Sequence, residues 1–206
     1  RREEVVVIRM VMLGRLGNNL FQYALGRVLA EKHGVPFAMD GSWFDAAGWR
    51  QVECLKRLPG PAAGKVAIVR PATLASRALR KATGRHHWEY RGQPVLKEAV
   101  DDHSFDPRFL AAPADCLLFG YFQTPLYFKS LESALRAELS THDLGLERGN
   151  EALADRLREP GSVAVHVRRT DYVSNPQLNH CGTNYYQNAM ARLRAGGGKR
   201  FFVFSD

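Results

Sequence analysis

From Ser162 to Val173 the chain reads SVAVHVRRTDYV, which places an imidazole, two adjacent guanidiniums and a carboxylate in one short run: His166, Arg168, Arg169 and Asp171. A guanidinium fork donates two parallel hydrogen bonds to anionic oxygens, so such a pair suits a phosphate or diphosphate. Cations aimed at a departing phosphate stabilise the charge that develops on it. His166 could hydrogen-bond a nucleotide, and Asp171 could orient an arginine or bind a hydroxyl. The plainer alternative is a solvated basic turn closing a strand, with Asp171 as its capping carboxylate.

These groups need a scaffold, and the sequence offers one. Val163 and Val165 alternate with smaller or polar residues, as in a strand that ends at the arginines. In open α/β folds ligands bind at the carboxyl ends of strands. A helix over Tyr185–Leu193 follows, closed by Gly196-Gly197-Gly198, then a strand Phe201–Phe204 ending in Ser205-Asp206. The amino-terminal half opens the same way. Val5–Leu13 reads as a buried strand, Gly14 and Gly17 allow a tight turn, and Asn18 is the expected N-cap. An apolar stripe through Leu20, Phe21, Ala24, Leu25, Val28 and Leu29 makes a helix stopped by Gly34. A strand Val35–Met39 then ends at Asp40.

Between the halves, Val66–Val69, Val95–Val100 and Cys116–Phe122 read as strands and Pro71–Thr83 as a helix. Trp43, Phe44 and Trp49 are expected anchors in an irregular stretch. Thr124-Pro125 is an N-cap and N1 pair opening a helix through Leu139, and Asn150–Glu159 forms another. The polar run Ser140–Gly149 marks a boundary. The organisation expected is therefore an α/β domain over 1–149 and the start of a second over 150–206, with a ligand cleft between the two α/β halves.

Composition narrows the partners. The 206 residues are 45% hydrophobic, carry a net charge of +8 and contain three cysteines, Cys54, Cys116 and Cys181. An odd, widely spaced set without CxxC fits neither a zinc site nor a disulfide framework and matches a reducing cytoplasm. No apolar run reaches the roughly 18 residues of a membrane span. A basic nucleic-acid binder would need a contiguous cationic face with exposed aromatics. The only dense cluster, Arg77, Arg80, Lys81 and Arg85, reads as a solvated helix face. The adjacent His86-His87 and Asp101-Asp102 pairs are poor metal chelators in this spacing. Gln22 reads either as a cleft residue or as a solvated helix position, and Tyr185 and Tyr186 as core or cleft wall.

Separated motifs then agree on a family. GRLGNNLFQYA at Gly14–Ala24, GYFQTPLYF at Gly120–Phe128, HVRRTDYVSNP at His166–Pro176 with the following HC and YYQNA, and FFVFSD at Phe201–Asp206 occur in order. Together they resemble the α-1,2-fucosyltransferases of bacterial type. The H-x-RR-x-D element is shared more widely with α-1,6-fucosyltransferases and their nodulation relatives. Asn19 stands where that family usually has Gln, and Thr170 where bacterial members usually have Gly.

The resemblance implies a GT-B architecture of two Rossmann-like domains, with the donor in the second, and transfer of L-fucose from GDP-L-fucose to the 2-hydroxyl of a galactoside, with inversion and without a metal or other cofactor. It implies an oligosaccharide or glycolipid acceptor and no nucleic-acid partner. It also implies a cytoplasmic protein, with peripheral contact at the inner membrane face allowed. By the family pattern Arg168, Asp171 and His166 are the catalytic candidates, and Arg168, Arg169, His166, Gly17, Asn18, Ser205 and Asp206 the donor-binding ones. The general base is left open among Asp40, Asp171 and His180. A nucleotide-binding module without turnover remains the alternative. One β-α-β unit in the second half buries too little apolar surface to stand alone, so the natural protein is expected to be longer and GDP to bind this chain weakly.

Overall fold

The structure, a computed structural model, describes residues 6–41, 66–69 (backbone only), 92–99, 104–139, 150–169, 173 and 181–205. The expected helix Pro71–Thr83, the anchors Trp43, Phe44 and Trp49, the Arg77–Arg85 cluster, His86-His87, Asp101-Asp102, Asp171, His180 and Asp206 lie outside those residues. The chain divides into two compact units, Arg1–Leu144 and Gly145–Asp206.

The first unit is a five-stranded parallel sheet. Its strands are β1 (Ile8–Val11), β2 (Phe37–Asp40), β3 (Val66–Val69), β4 (Val95–Lys97) and β5 (Cys116–Phe119), in the spatial order β3-β2-β1-β5-β4. Strand β1 is central and buried at every position, as a parallel strand covered on both faces must be. One face carries Ile8, Met10, Met12, Phe37, Met39 and Leu118, packed with Leu25 and Leu29 of helix α1 (Leu16–His33). Val11, Leu13 and Leu117 form a smaller apolar cluster of their own, supported by Val95 and Phe119. Gly26 of α1 sits directly on the Phe37 ring, where an added Cβ would fall 2.1 Å from a ring carbon. The glycine lets helix and sheet approach closely.

Several boundaries differ from the sequence reading, each for a physical reason. Helix α1 starts earlier than expected. Its N-cap is Arg15, whose side chain makes no capping bond, and Asn18 lies inside the first turn, so it is not the N-cap. Gly14 supplies the turn, with φ +70°. At the far end Gly34 adopts the left-handed C-cap as expected, its N–H bonding back to Ala30 and Glu31. Strand β4 stops at Lys97 and β5 at Phe119, because beyond them the chain folds into a turn in which Phe122 has φ +53°. Thr124 caps the next segment through its hydroxyl, which accepts from the Leu126 N–H. The segment is not one helix, however. It is two 3-10 turns, Pro125–Tyr127 and Lys129–Leu131, then helix α2 (Glu132–Glu138).

Helix α2 is tied to α1 by a buried ion pair. Glu138 is 3% exposed, and its carboxylate accepts from Arg27 Nη2 at 2.6 Å and from the Tyr23 hydroxyl at 2.9 Å. Burial, and then the Glu138 charge, push the Tyr23 phenol above its ordinary range.

The second unit comprises helix α3 (Asn150–Arg158), β6 (Ser162–Val167), helix α4 (Thr183–Ala195) and β7 (Arg200–Ser205). The two strands pair in parallel from Ser162↔Arg200 to Val167↔Ser205. Arginines lie over two aromatic side chains of β7: Arg156 is 5.4 Å from the Phe202 ring and Arg194 5.2 Å from the Phe201 ring. Guanidiniums on ring faces are favourable even where solvent reaches them. Among the described residues of this unit none is fully buried.

Candidate functional site

Polar groups collect at the carboxyl ends of the strands in both units. In the second unit β6 ends at Val167, so Arg168 and Arg169 leave the sheet where Ser205 ends β7. Arg168 is half-buried and Arg169 exposed. The carbonyl of Arg169 accepts from the Val173 N–H at 2.7 Å. A pocket of 290 Å³ opens beside them. Its floor is Val165, Val167 and Val203, and its wall includes Cys181, Tyr186 and Gln187 from α4 and the segment before it.

Strand alternation sorts the candidates here. Val165 and Val167 line the pocket, whereas His166 projects from the opposite face of β6 and is exposed. The structure therefore brings Arg168, Arg169 and the end of β7 together and sets the His166 side chain apart from them. Tyr186 is a pocket wall residue, and Tyr185, 60% exposed, stacks edge-on against it. Among the described residues no group of three or more His, Cys, Asp or Glu side chains is arranged to hold a metal ion. No described helix is long and apolar enough to cross a membrane.

In the first unit the polar groups gather at β1 and β5, the neighbouring strands where the sheet order reverses and where α/β sheets bind ligands. Gly14 and Asn18 follow β1, and Gly120, Tyr121, Phe122 and Gln123 follow β5. Gln22 fastens the two segments. It is fully buried, its carbonyl oxygen accepts from the Leu13 N–H at 3.1 Å and from Asn19 Nδ2 at 3.0 Å, and its amide donates to the Gly120 carbonyl at 2.7 Å. It is thus neither a cleft residue nor a solvated one. Gln123 Nε2 donates to Asn18 Oδ1 at 2.6 Å, a second bond between the segments. Gly17 is exposed in the first turn of α1, with open space where a Cβ would stand. Asp40, a candidate base, is fully buried at the end of β2, out of reach of an acceptor hydroxyl in this conformation.

One group that the sequence reading passed over organises this corner. Glu98, just beyond β4, accepts from the Tyr121 N–H at 2.6 Å and from the Phe122 N–H at 2.9 Å. Phe122 sits in left-handed backbone, which costs a non-glycine residue roughly 1–2 kcal/mol. Burying its ring contributes about 1.5–3 kcal/mol. Contacts with Phe109 at 4.9 Å and Tyr127 at 6.0 Å hold the ring. Burial and the carboxylate bonds together outweigh the strain, so the turn stands ready-formed. The signal in the sequence was a carboxylate inside the expected strand Val95–Val100, which the structure ends at Lys97. Its target is 23 residues on and becomes visible only once β4 and β5 pair.

Comparison with known proteins agrees with this reading of the chain. Residues 86–206 match the model of the family described as glycosyl transferase family 11. Over 92 residues the chain is 34% identical to an alpha-1,2-colitosyltransferase of Escherichia coli, covering 42% of this chain and 31% of that protein's length. No solved structure matches. The family match spans more than half of the chain and includes the arginine pair and its pocket, and the chain therefore belongs to glycosyl transferase family 11, the α-1,2-fucosyltransferase family to which its motifs pointed.

Proposed function

We propose that the chain takes part in transferring L-fucose from GDP-L-fucose to the 2-hydroxyl of a galactoside, with inversion, in a GT-B arrangement. The observation that carries this reading is the Arg168–Arg169 pair at the carboxyl end of β6, beside a pocket and inside the family match. As the bond from sugar to β-phosphate breaks, negative charge grows on the phosphate. A half-buried guanidinium works in a lower dielectric than water, so it stabilises that charge more strongly than a solvated one. Arg168 takes this role, and Arg169 adds a second fork from the exposed side. Ser205, at the end of the neighbouring strand β7, and Asp206, next to it in the sequence, serve as donor contacts. His166 projects from the opposite face of its strand, away from this pocket, so the diphosphate is left to the arginines. Asp171 orients an arginine or receives the acceptor proton. Within the first unit Gly17 and Asn18 serve as ligand contacts, and the open space at Gly17 lets a ligand approach the backbone.

The relative named as a colitosyltransferase gives a second reading of the donor. Colitose is fucose without its 3-hydroxyl, so the same diphosphate chemistry serves both. Transfer to lactose from GDP-fucose and from GDP-colitose, measured side by side, separates the two. In either case Arg168→Ala should lower kcat/KM more than tenfold, about 1.4 kcal/mol at the transition state. Arg168→Lys should fail to restore it, because an ammonium lacks the planar fork. A smaller loss sinks the phosphate assignment. GDP binding without transfer from either donor would leave a nucleotide-binding module.

A further inference from the structure

The geometry points to Tyr121 as the platform on which the acceptor sugar stacks, with Glu98 as the residue that positions it. This rests on the transferase reading above and assigns a subsite that the reading left open. Tyr121 is 37% exposed, yet its neighbour Phe122 is fully buried, so the ring stands on an anchored turn. The turn lies at the carboxyl ends of β1 and β5, where the strand order reverses. The ring is also held from below. A Cβ on Gly14 would come within 3.1 Å of Tyr121 Cε1 and 2.1 Å of Asn18 Nδ2, so the ring and the Asn18 amide both rest over a position kept bare. The bonded Asn18–Gln123 amide pair stands beside it.

An exposed aromatic ring on a rigid turn, bordered by side-chain amides, suits a pyranoside. The negative π face meets polarised C–H groups, and amides meet hydroxyls. A galactoside fits well, because its axial 4-hydroxyl leaves the C–H bonds at carbons 3, 4 and 5 on one face. Glu98 acts through the backbone. By accepting from the N–H groups of Tyr121 and Phe122 it holds the left-handed turn and hence the ring's direction. Glu98 itself touches no substrate.

The test separates acceptor from donor. With lactose as acceptor, Tyr121→Ala should raise the acceptor KM at least tenfold and move the GDP-sugar KM less than twofold. Tyr121→Phe, which keeps the ring, should stay within threefold of the parent. Glu98→Gln keeps the size but turns an amide towards one N–H, and should raise the acceptor KM at least threefold with the same donor selectivity. An acceptor KM unmoved in Glu98→Gln refutes the positioning role, and one unmoved in Tyr121→Ala refutes the platform. Saturation-transfer NMR with N-acetyllactosamine and no donor gives a readout independent of turnover. Signal lost in Tyr121→Ala and kept in Tyr121→Phe supports the platform even if no sugar is transferred, in which case the transferase reading alone fails. Equal signal in the parent and Tyr121→Ala, or none in either, overturns the platform.

Discussion

Gln22→Leu should remove a clasp while nearly conserving volume. In the native structure the Gln22 amide serves the Leu13 N–H, the Gly120 carbonyl and Asn19 Nδ2, all without solvent contact at Gln22 itself. A leucine there leaves the Leu13 donor and the Gly120 acceptor stranded. Each stranded group costs about 1–3 kcal/mol, against which the extra apolar burial returns about 1 kcal/mol or less. The net loss is therefore about 1–5 kcal/mol, a large part of the roughly 5–15 kcal/mol that holds a domain together. Urea unfolding followed by far-UV circular dichroism measures it, and an unchanged slope with denaturant shows that the two end states are the same. Amide exchange at Leu13 should accelerate in step. Gln22→Glu sharpens the test. One oxygen still accepts from Leu13 and Asn19, but the other then faces the Gly120 carbonyl unless it is protonated. Burial, with the second oxygen set against a carbonyl, raises the folded pKa of the introduced carboxyl, so the unfolded chain loses its proton first. Stability should thus be closest to the parent below the unfolded value of about 4.3 and fall as pH rises through it to the folded pKa. A Gln22→Leu loss under about 0.5 kcal/mol, or a Gln22→Glu deficit that shrinks with rising pH, would refute the clasp.

Three further outcomes are expected. Gly26→Ala should destabilise the first unit by about 1–3 kcal/mol through its clash with Phe37, visible as a lower urea midpoint, although alanine is the better helix former. Burial pushes the Cys116 thiol up to about 12, with Asp115 adding to the shift, while Cys181 is exposed. Iodoacetamide at pH 8 should accordingly label Cys181 and leave Cys116 unmodified in native protein, as read by peptide mass spectrometry. Transfer should persist in excess EDTA if the arginines alone carry the diphosphate charge. Loss restored by Mg²⁺ would turn attention to Asp101 and Asp102.

Local patterns were enough to place most strands, the helix after Gly14 and the arginines at a strand end. Hydrophobic periodicity and glycine punctuation act over a few residues, and so did the motifs that pointed to the family. The Thr124-Pro125 cap was also local, although the helix behind it broke into 3-10 turns where Tyr127 is drawn into the aromatic cluster around Phe109 and Phe122. What the sequence could not decide depended on which strands became neighbours. Gln22 read as a surface or cleft residue until β1 and β5 paired and placed the Gly120 carbonyl against its amide. Asn18 read as a cap until Gly14 took the turn and freed its side chain for Gln123. Glu98 and Tyr121 acquired a shared purpose only when β4 came to lie beside β5. His166 and Arg168 are close in sequence, yet strand alternation sends the His166 side chain to the face opposite the pocket that Arg168 lines. Chain neighbours specify an element, but a site is made by side chains that only the pairing of distant strands brings within hydrogen-bonding reach.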